Sequence, residues 1–327
     1  MSHLILTTNH LAAATLRQTK LANIALGFCI RFVFDQLPSA EQLMMGLERR
    51  SAKHYNVGDH WLDDIRPCWL TGFGTRDAGL FELCEKFDSI ELWVDPRPND
   101  QLVLVWLLDL LRPYKEITTK LGLVHTDDVV ANYRAESLAK WKLPVFNVTD
   151  NHLALASRAW NAWRAPTPEP CFDLLMKDLT VLPRLRSALV AVFEELPDVS
   201  TGLGASEMAM LGYIEDGCTD PQVARMAARH HEVFDEAEAG ELLDDLAQCP
   251  APLIFGLGEA PFEKDEVARY HRYKKSRVAL TELGRAVVDG EDDFSRHNLI
   301  HRWWGGTQLT NERLWRWDRE SRLLVGP

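Results

Sequence analysis

The sequence predicts an α/β N-terminal domain with a mostly parallel sheet, followed by an α-helical C-terminal half that ends in a winged-helix-like module. Three observations lead there. Short apolar runs alternate with helix-compatible stretches in the N-terminal part, which implies crossover connections and parallel pairing. A helical middle segment is closed by Pro166, Pro168 and Pro170, which stop a helix and stiffen a short connector. After Ser206, three helical stretches precede two short strand-like runs and a T-x-x-G opening at residues 281–284, the order of a winged helix. The expected division is an α/β domain over 1–150, a helical connector over 151–200, and a winged-helix-like domain with a C-terminal extension over 201–327.

Taken in order, residues 3–8 (HLILTT) read as a strand, turned by Asn9-His10 into a helix over 11–18. Residues 28–34 (FCIRFVF) read as a second strand because aromatic and β-branched residues favour that state. Residues 40–52 and 77–87 are helical in composition. Residues 90–94 form a strand ending at Asp95, stopped by Pro96 and Pro98. A largely apolar helix covers 102–111, and 121–125 is the last strand. Beyond it, 151–165 places Trp160 and Trp163 at helical spacing, read as core packing, and further helices cover 171–177 and 182–196. In the final module, helices are expected over 206–214, 220–230 and 235–248, strands over 253–256 and 276–281, and a terminal strand over 314–318.

Composition narrows the function classes. At 327 residues, with 46% hydrophobic and 26% charged residues, the chain can bury sizeable cores. No apolar run approaches the roughly 20 residues needed to span a bilayer, so no membrane association is expected. The N-terminus lacks a basic n-region and a small-residue cleavage site, so no signal peptide is read. The six cysteines are scattered singly without CxxC spacing, which fits separate reduced thiols in a cytoplasmic protein. His297 and His301 stand four apart with no Glu between them, and Arg296 and Arg302 beside them oppose a cation. No metal site is assigned. Residues 72–74 (GFG) lack the third glycine of a dinucleotide fingerprint, and no cofactor is indicated.

Ligands of open α/β sheets bind beyond the carboxyl ends of the strands. The residues there are polar and titratable: Asn9 and His10, then Asp35, then Asp95 with Asp100 and Gln101, then His125 with Asp127. If they converge, Asp95 or Asp100 serves as a base or a metal ligand and His10 or His125 as an acid, with Asn9, Asp35 and Gln101 binding the ligand. The same residues also end strands and cap helices without any chemistry.

The winged-helix order raises nucleic acid as a partner, but charge disfavours the usual docking. Between Glu232 and Asp245 there are seven acidic residues and no Lys or Arg. A recognition helix over 235–248 would be repelled from a polyanion; this acidic helix can instead meet a basic protein partner, or can simply be solvated. Residues 269–277 (RYHRYKKSR) form a basic, aromatic-interleaved wing. Arg272, Lys274, Lys275 and Arg277 are its candidate phosphate contacts, and the same residues equally suit salt bridges within the fold or to a partner, or a plain solvated loop.

Several short stretches together resemble an uncharacterised bacterial family catalogued as domain of unknown function 1835. They are Leu92-Trp93 with Asp100-Gln101-Leu102, Ala159-Trp160 through Arg164-Ala165-Pro166, Leu182-Pro183, Glu194-Glu195-Leu196-Pro197, Gly202-Leu203, residues 280–290, and Arg302-Trp303 through Gly305-Gly306. The resemblance covers most of the chain, best from Glu91 to Asp318, and implies a two-domain architecture with no activity to carry over. It also implies polar clusters at the strand ends: Gly-Asp after the first strand, His-Glu-Gly after the second, Glu-His-Asp after the third. Here stand Asn9-His10, Asp35-Gln36-Leu37-Pro38 and Asp95 to Asp100. Only Asp100 and Gln101 match, which implies that any activity of that cleft is altered or lost. The first expectation is therefore a non-enzymatic binding or adaptor protein. The alternatives are a hydrolase or transferase for a phosphate-bearing small molecule, and a nucleic-acid-binding regulator that uses the wing.

Overall fold

The computed structural model describes residues 1–228, 232–258 and 267–327. The chain divides into two compact units: Met1–Phe32, Leu37–Asn161 and Asp178–Leu185 in one, Val33–Gln36, Ala162–Lys177 and Arg186–Pro327 in the other.

The first unit opens with β1 (His3–Thr7), α1 (His10–Thr19) and β2 (Ile24–Gly27). After α2 (Ala40–Leu47) and α3 (Leu80–Glu85) come β3 (Ser89–Val94), α4 (Pro98–Leu111), α5 (Lys115–Thr118), β4 (Leu121–His125), α6 (Ala135–Leu138) and β5 (Phe146–Asn147). The sheet order is β2-β1-β3-β4-β5, parallel except for β5. The chain leaves β1 to one side for β2 and returns on the other for β3, so the strand order reverses between β1 and β3. Open sheets of this order form their ligand crevice at that reversal. Ile5, Ala12, Leu16, Trp93 and Val124 pack together as a core between strands and α1. Twelve of the fourteen residues of α4 are buried, which is why it reads as apolar all round.

The second expected strand is displaced. Residues 28–34 form no strand; the pairing segment is 24–27, upstream. The Phe28 amide still bonds to Thr7 O at 3.1 Å. The Asn99 side chain then takes over the backbone, accepting from Phe32 N at 2.8 Å and donating to Ile30 O at 2.9 Å. Phe28 and Phe32 look strand-like because they are core fillers. Their rings meet Trp106 at 6.0 and 5.6 Å, and Phe32 meets Trp160 at 4.7 Å.

α7 (Asp150–Trp163) leads into the second unit, which holds α8 (Glu169–Leu175), α9 (Leu185–Glu194), α10 (Ala205–Glu215), α11 (Pro221–Ala227) and α12 (Glu236–Gln248). They are succeeded by β6 (Ile254–Phe255), α13 (Val267–Lys275), β7 (Ala279–Leu280) and α14 (Glu282–Val288), then the hairpins β8 (His301–Trp304) with β9 (Thr307–Thr310) and β10 (Arg316–Asp318) with β11 (Leu323–Val325). An aromatic core joins the ends of this stretch. Trp163 and Phe193 lie 4.5 and 5.0 Å from Trp304, and Phe193 stacks on Trp317 at 5.0 Å.

Three local expectations are corrected in this unit. The helix expected over 206–214 starts earlier: its cap is Gly204, whose amide bonds to Glu207 Oε2 at 2.8 Å, and Ser206 sits inside the helix. The basic stretch expected as a wing loop is helical through Lys275, with Tyr273 buried and the Tyr270 hydroxyl accepting from Gln222 Nε2 at 2.9 Å. β6 and β7 pair antiparallel over two residues each, and residues 259–266 and 229–231 of the expected module lie outside the described residues. His297 and His301 do not share a helix. His297 ends a 3-10 turn and meets Asp292 Oδ2 at 2.8 Å, whereas His301 opens β8.

Candidate functional sites at the strand ends and beside the acidic helix

The β1–β3 reversal is filled by side-chain hydrogen bonds. Asn9 ends β1 and caps α1, accepting from Ala12 N at 2.7 Å. Its amide donates to Asp95 Oδ2 at 3.0 Å. The other Asp95 oxygen accepts from Thr126 Oγ1 at 3.2 Å and Val130 N at 3.1 Å, and Gln101 Nε2 donates to Asp95 O at 2.7 Å. Asp95 has no exposed surface. It ties together the loops after β1, β3 and β4.

Asp100 is also buried. Burial and the neighbouring Asp95 carboxylate push its pKa up to about 7, against the pull of Thr8, Arg97 and Asn9 nearby. Burial likewise raises Asp95, opposed by its hydrogen bonds. Two adjacent carboxylates in low dielectric favour keeping one proton between them.

Thus the structure brings Asn9, Asp95, Asp100 and Gln101 together and leaves the expected acids elsewhere. His10 opens α1 and lines a separate cavity of about 360 Å³ with His60, Asp63 and Asp64. Burial lowers its pKa, with Asp64 opposing. His125, at the end of β4, is lowered by burial and by His152 and Arg184. Its Nδ1 has no hydrogen-bond partner among the described residues. Asp127 pairs with Arg184. Asp35, in the left-handed region at φ 59°, belongs to the second unit.

That second unit contains a cavity of about 720 Å³. α12 lines it with Glu241, Asp244 and Asp245, and the segment after Phe32 adds Phe34 and Asp35. β8 supplies Arg302, Trp303 and Trp304. Arg302 is held by Glu207, Nη1 to Oε2 at 2.8 Å and Nη2 to Oε1 at 3.1 Å. Glu195 accepts from Ser206 Oγ at 2.6 Å and Ser206 N at 3.1 Å. Asp244 is 3% exposed. Burial, then Asp245 and Glu241, push its pKa up to about 8. Burial also raises Glu241, with Asp35 and Asp245 adding to it.

The acidic helix expected over 235–248 is legible as a charge run, and its face is divided. Within α12 Glu236, Glu241 and Asp245 are exposed while Glu238 and Asp244 are buried; the cap Asp235 and the preceding Glu232 are exposed as well. The partners of α12 across the cavity are not legible in the sequence, because Glu207, Arg302 and Trp303 are distant along the chain and none forms a motif. Of the basic candidates, Arg272, Lys275 and Arg277 are exposed, and Lys274 lies 4.7 Å from the Tyr270 ring centroid.

No family model matches the chain, and no curated protein matches it. Among solved structures it is similar to the DNA-binding, cleavage and re-ligation domain of Plasmodium falciparum topoisomerase II, at 10% identity and a TM-score of 0.40. That likeness covers 100% of this chain and 54% of the other, so the chain spans about half that length. Among the described residues no helix is long and apolar enough to cross a membrane.

Proposed function

We propose that the chain is a non-enzymatic binding or adaptor protein whose second unit engages a basic partner. One observation carries this reading: α12 presents exposed carboxylates, with no Lys or Arg of its own, along the rim of an aromatic-walled cavity. Complementary charge steers such encounters and selects among partners. The hydrolase or transferase alternative loses support from the strand ends, where Asp95 is sealed from solvent and engaged by Asn9, Thr126 and Val130. The test is equilibrium binding of a labelled lysine-rich peptide against a length-matched glutamate-rich one. Selective binding of the first is expected. Equal binding, or turnover of phosphate esters lost in Asp95→Asn, contradicts the reading.

A second reading rests on α13. Its exposed Arg272 and Lys275, continued by Arg277, suit phosphate contacts. The order α10, α11, α12, β6, β7, α14 supports a winged-helix-like module, with α13 between the two strands. We also propose a cytoplasmic location, on the scattered single cysteines, and kinship with the bacterial family that the quoted stretches resemble.

A further inference from the structure

We infer that the cavity beside α12 is a binding site for an organic ammonium group, with the buried carboxyl of Asp244 as its anchor, ionised when the cation is bound. The inference deepens the proposed function and rests on the second unit being the binding unit.

Asp244 is only 3% exposed, and neither of its carboxylate oxygens has a hydrogen-bond partner among the described residues. Buried polar groups in folded proteins are almost always hydrogen-bonded, and a buried carboxylate without donors is costly. Arg225 is near enough for its charge to favour the Asp244 carboxylate, but its Nη atoms are turned to another acid. Arg225 donates to Glu236 Oε1 at 2.6 Å and to Glu236 O at 3.2 Å. Arg302 is clamped by Glu207. Asp35, Glu241 and Asp245 line the same space as Asp244, so the cavity carries surplus negative charge.

Its walls define the kind of cation. Phe34 and Phe234 pack edge to face at 5.8 Å, and both line the cavity, as does Trp303. Aromatic faces beside carboxylates suit an alkylammonium, which offers three donors, a positive charge and an apolar stem. A divalent metal does not fit. Among the described residues no group of three His, Cys, Asp or Glu side chains is placed to hold one. The volume, about 720 Å³, lies in the range of small-molecule sites, and is large enough for an extended amine chain.

Two sources share this chemistry: a free polyamine, and a lysine side chain of a partner. The test is calorimetric titration of the full chain with spermidine, with a tri-lysine peptide, and with the same peptide acetylated on its side chains. The expected result is saturable binding of spermidine or tri-lysine, none of the acetylated peptide, and at least a tenfold loss in Asp244→Asn. Glu241→Gln, at an exposed position, should weaken binding severalfold without touching the core. Binding of spermidine alone assigns the cavity to a free polyamine; binding of tri-lysine alone assigns it to a lysine side chain. Tri-lysine binding unchanged in both variants overturns the cavity assignment while leaving the basic-partner reading intact. No binding of either amine to the wild-type chain overturns both.

Discussion

Arg302 grips both carboxylate oxygens of Glu207, at 2.8 and 3.1 Å, and Glu207 shares one of them with the amide of Gly204 at the start of α10. The pair joins β8 to α10, and Glu207 is 2% exposed. Removing one partner of a buried pair leaves an uncompensated charge, which costs about 3–5 kcal/mol. Arg302→Met should therefore lower the urea midpoint strongly. Combining it with Glu207→Gln should recover part of the loss, because the neutral amide still reaches Gly204. A double variant no more stable than the single would contradict this assignment.

Asp100 sets a pH dependence. Its carboxyl titrates near 3.8 when unperturbed and near 7 in the fold. The folded state therefore holds the proton more tightly, and stability is greatest below the lower value and declines as pH rises toward 7. The decline attributable to this group is on the order of a few kcal/mol. Asp244, raised to about 8, acts in the same direction. Asp100→Asn should remove its share, giving a smaller difference in unfolding free energy between pH 4 and pH 8 than the wild type shows. An unchanged difference would rule this cause out.

Gly305 turns the β8–β9 hairpin with φ 54°, and a Cβ there would lie 2.4 Å from Trp163 O and 2.9 Å from its ring. The Gly306 amide bonds to the same carbonyl at 2.8 Å. Gly305→Ala should cost more than about 1 kcal/mol, since both conformation and space oppose it. It should also weaken amine binding, because β8 carries Trp303 and Arg302 to the cavity. Thermal unfolding read beside calorimetry checks both effects.

The thiols should separate by burial. Cys29 and Cys68 are exposed, whereas Cys84 and Cys171 are buried. Burial pushes Cys84 up to about 12 and raises Cys171 as well. An aromatic disulfide reagent should modify Cys29 and Cys68 in the native chain and reach Cys84 and Cys171 only on unfolding, as mapped by mass spectrometry. Early modification of Cys84 would contradict its placement.

Much of the first unit is legible in the sequence because apolar patterning and helix punctuation agree. Leu121 to His125 is a short apolar run of strand length, and Pro98 begins α4 at a position where its missing N–H costs nothing. Phe28 to Phe34 misleads because a core-filling loop and a strand use the same residue types. The Asn99 side chain, distant in sequence, holds the loop form by bonding to Phe32 N and Ile30 O. At the strand ends the sequence marks Asn9, Asp95, Asp100 and Gln101 as polar, but not that Asn9 and Gln101 would both bond to Asp95. In the second unit the acidic run of α12 is plain. The burial of Asp244 among exposed neighbours is not, since it depends on what packs against one turn of the helix. The basic stretch before Arg277 resembles a loop by its charge, although the turn that buries Tyr273 makes it a helix.

The most direct test is fluorescence anisotropy of a labelled lysine-rich peptide and a labelled duplex oligonucleotide, each titrated with the full chain at low and then physiological salt. The expected result is peptide binding that weakens with salt and is lost when Glu241 and Asp245 are changed to Lys, with no duplex binding at physiological salt. Duplex binding that persists there and disappears when Lys274, Lys275 and Arg277 are changed to Glu, with no peptide binding, would contradict the basic-partner reading and place the contact on α13.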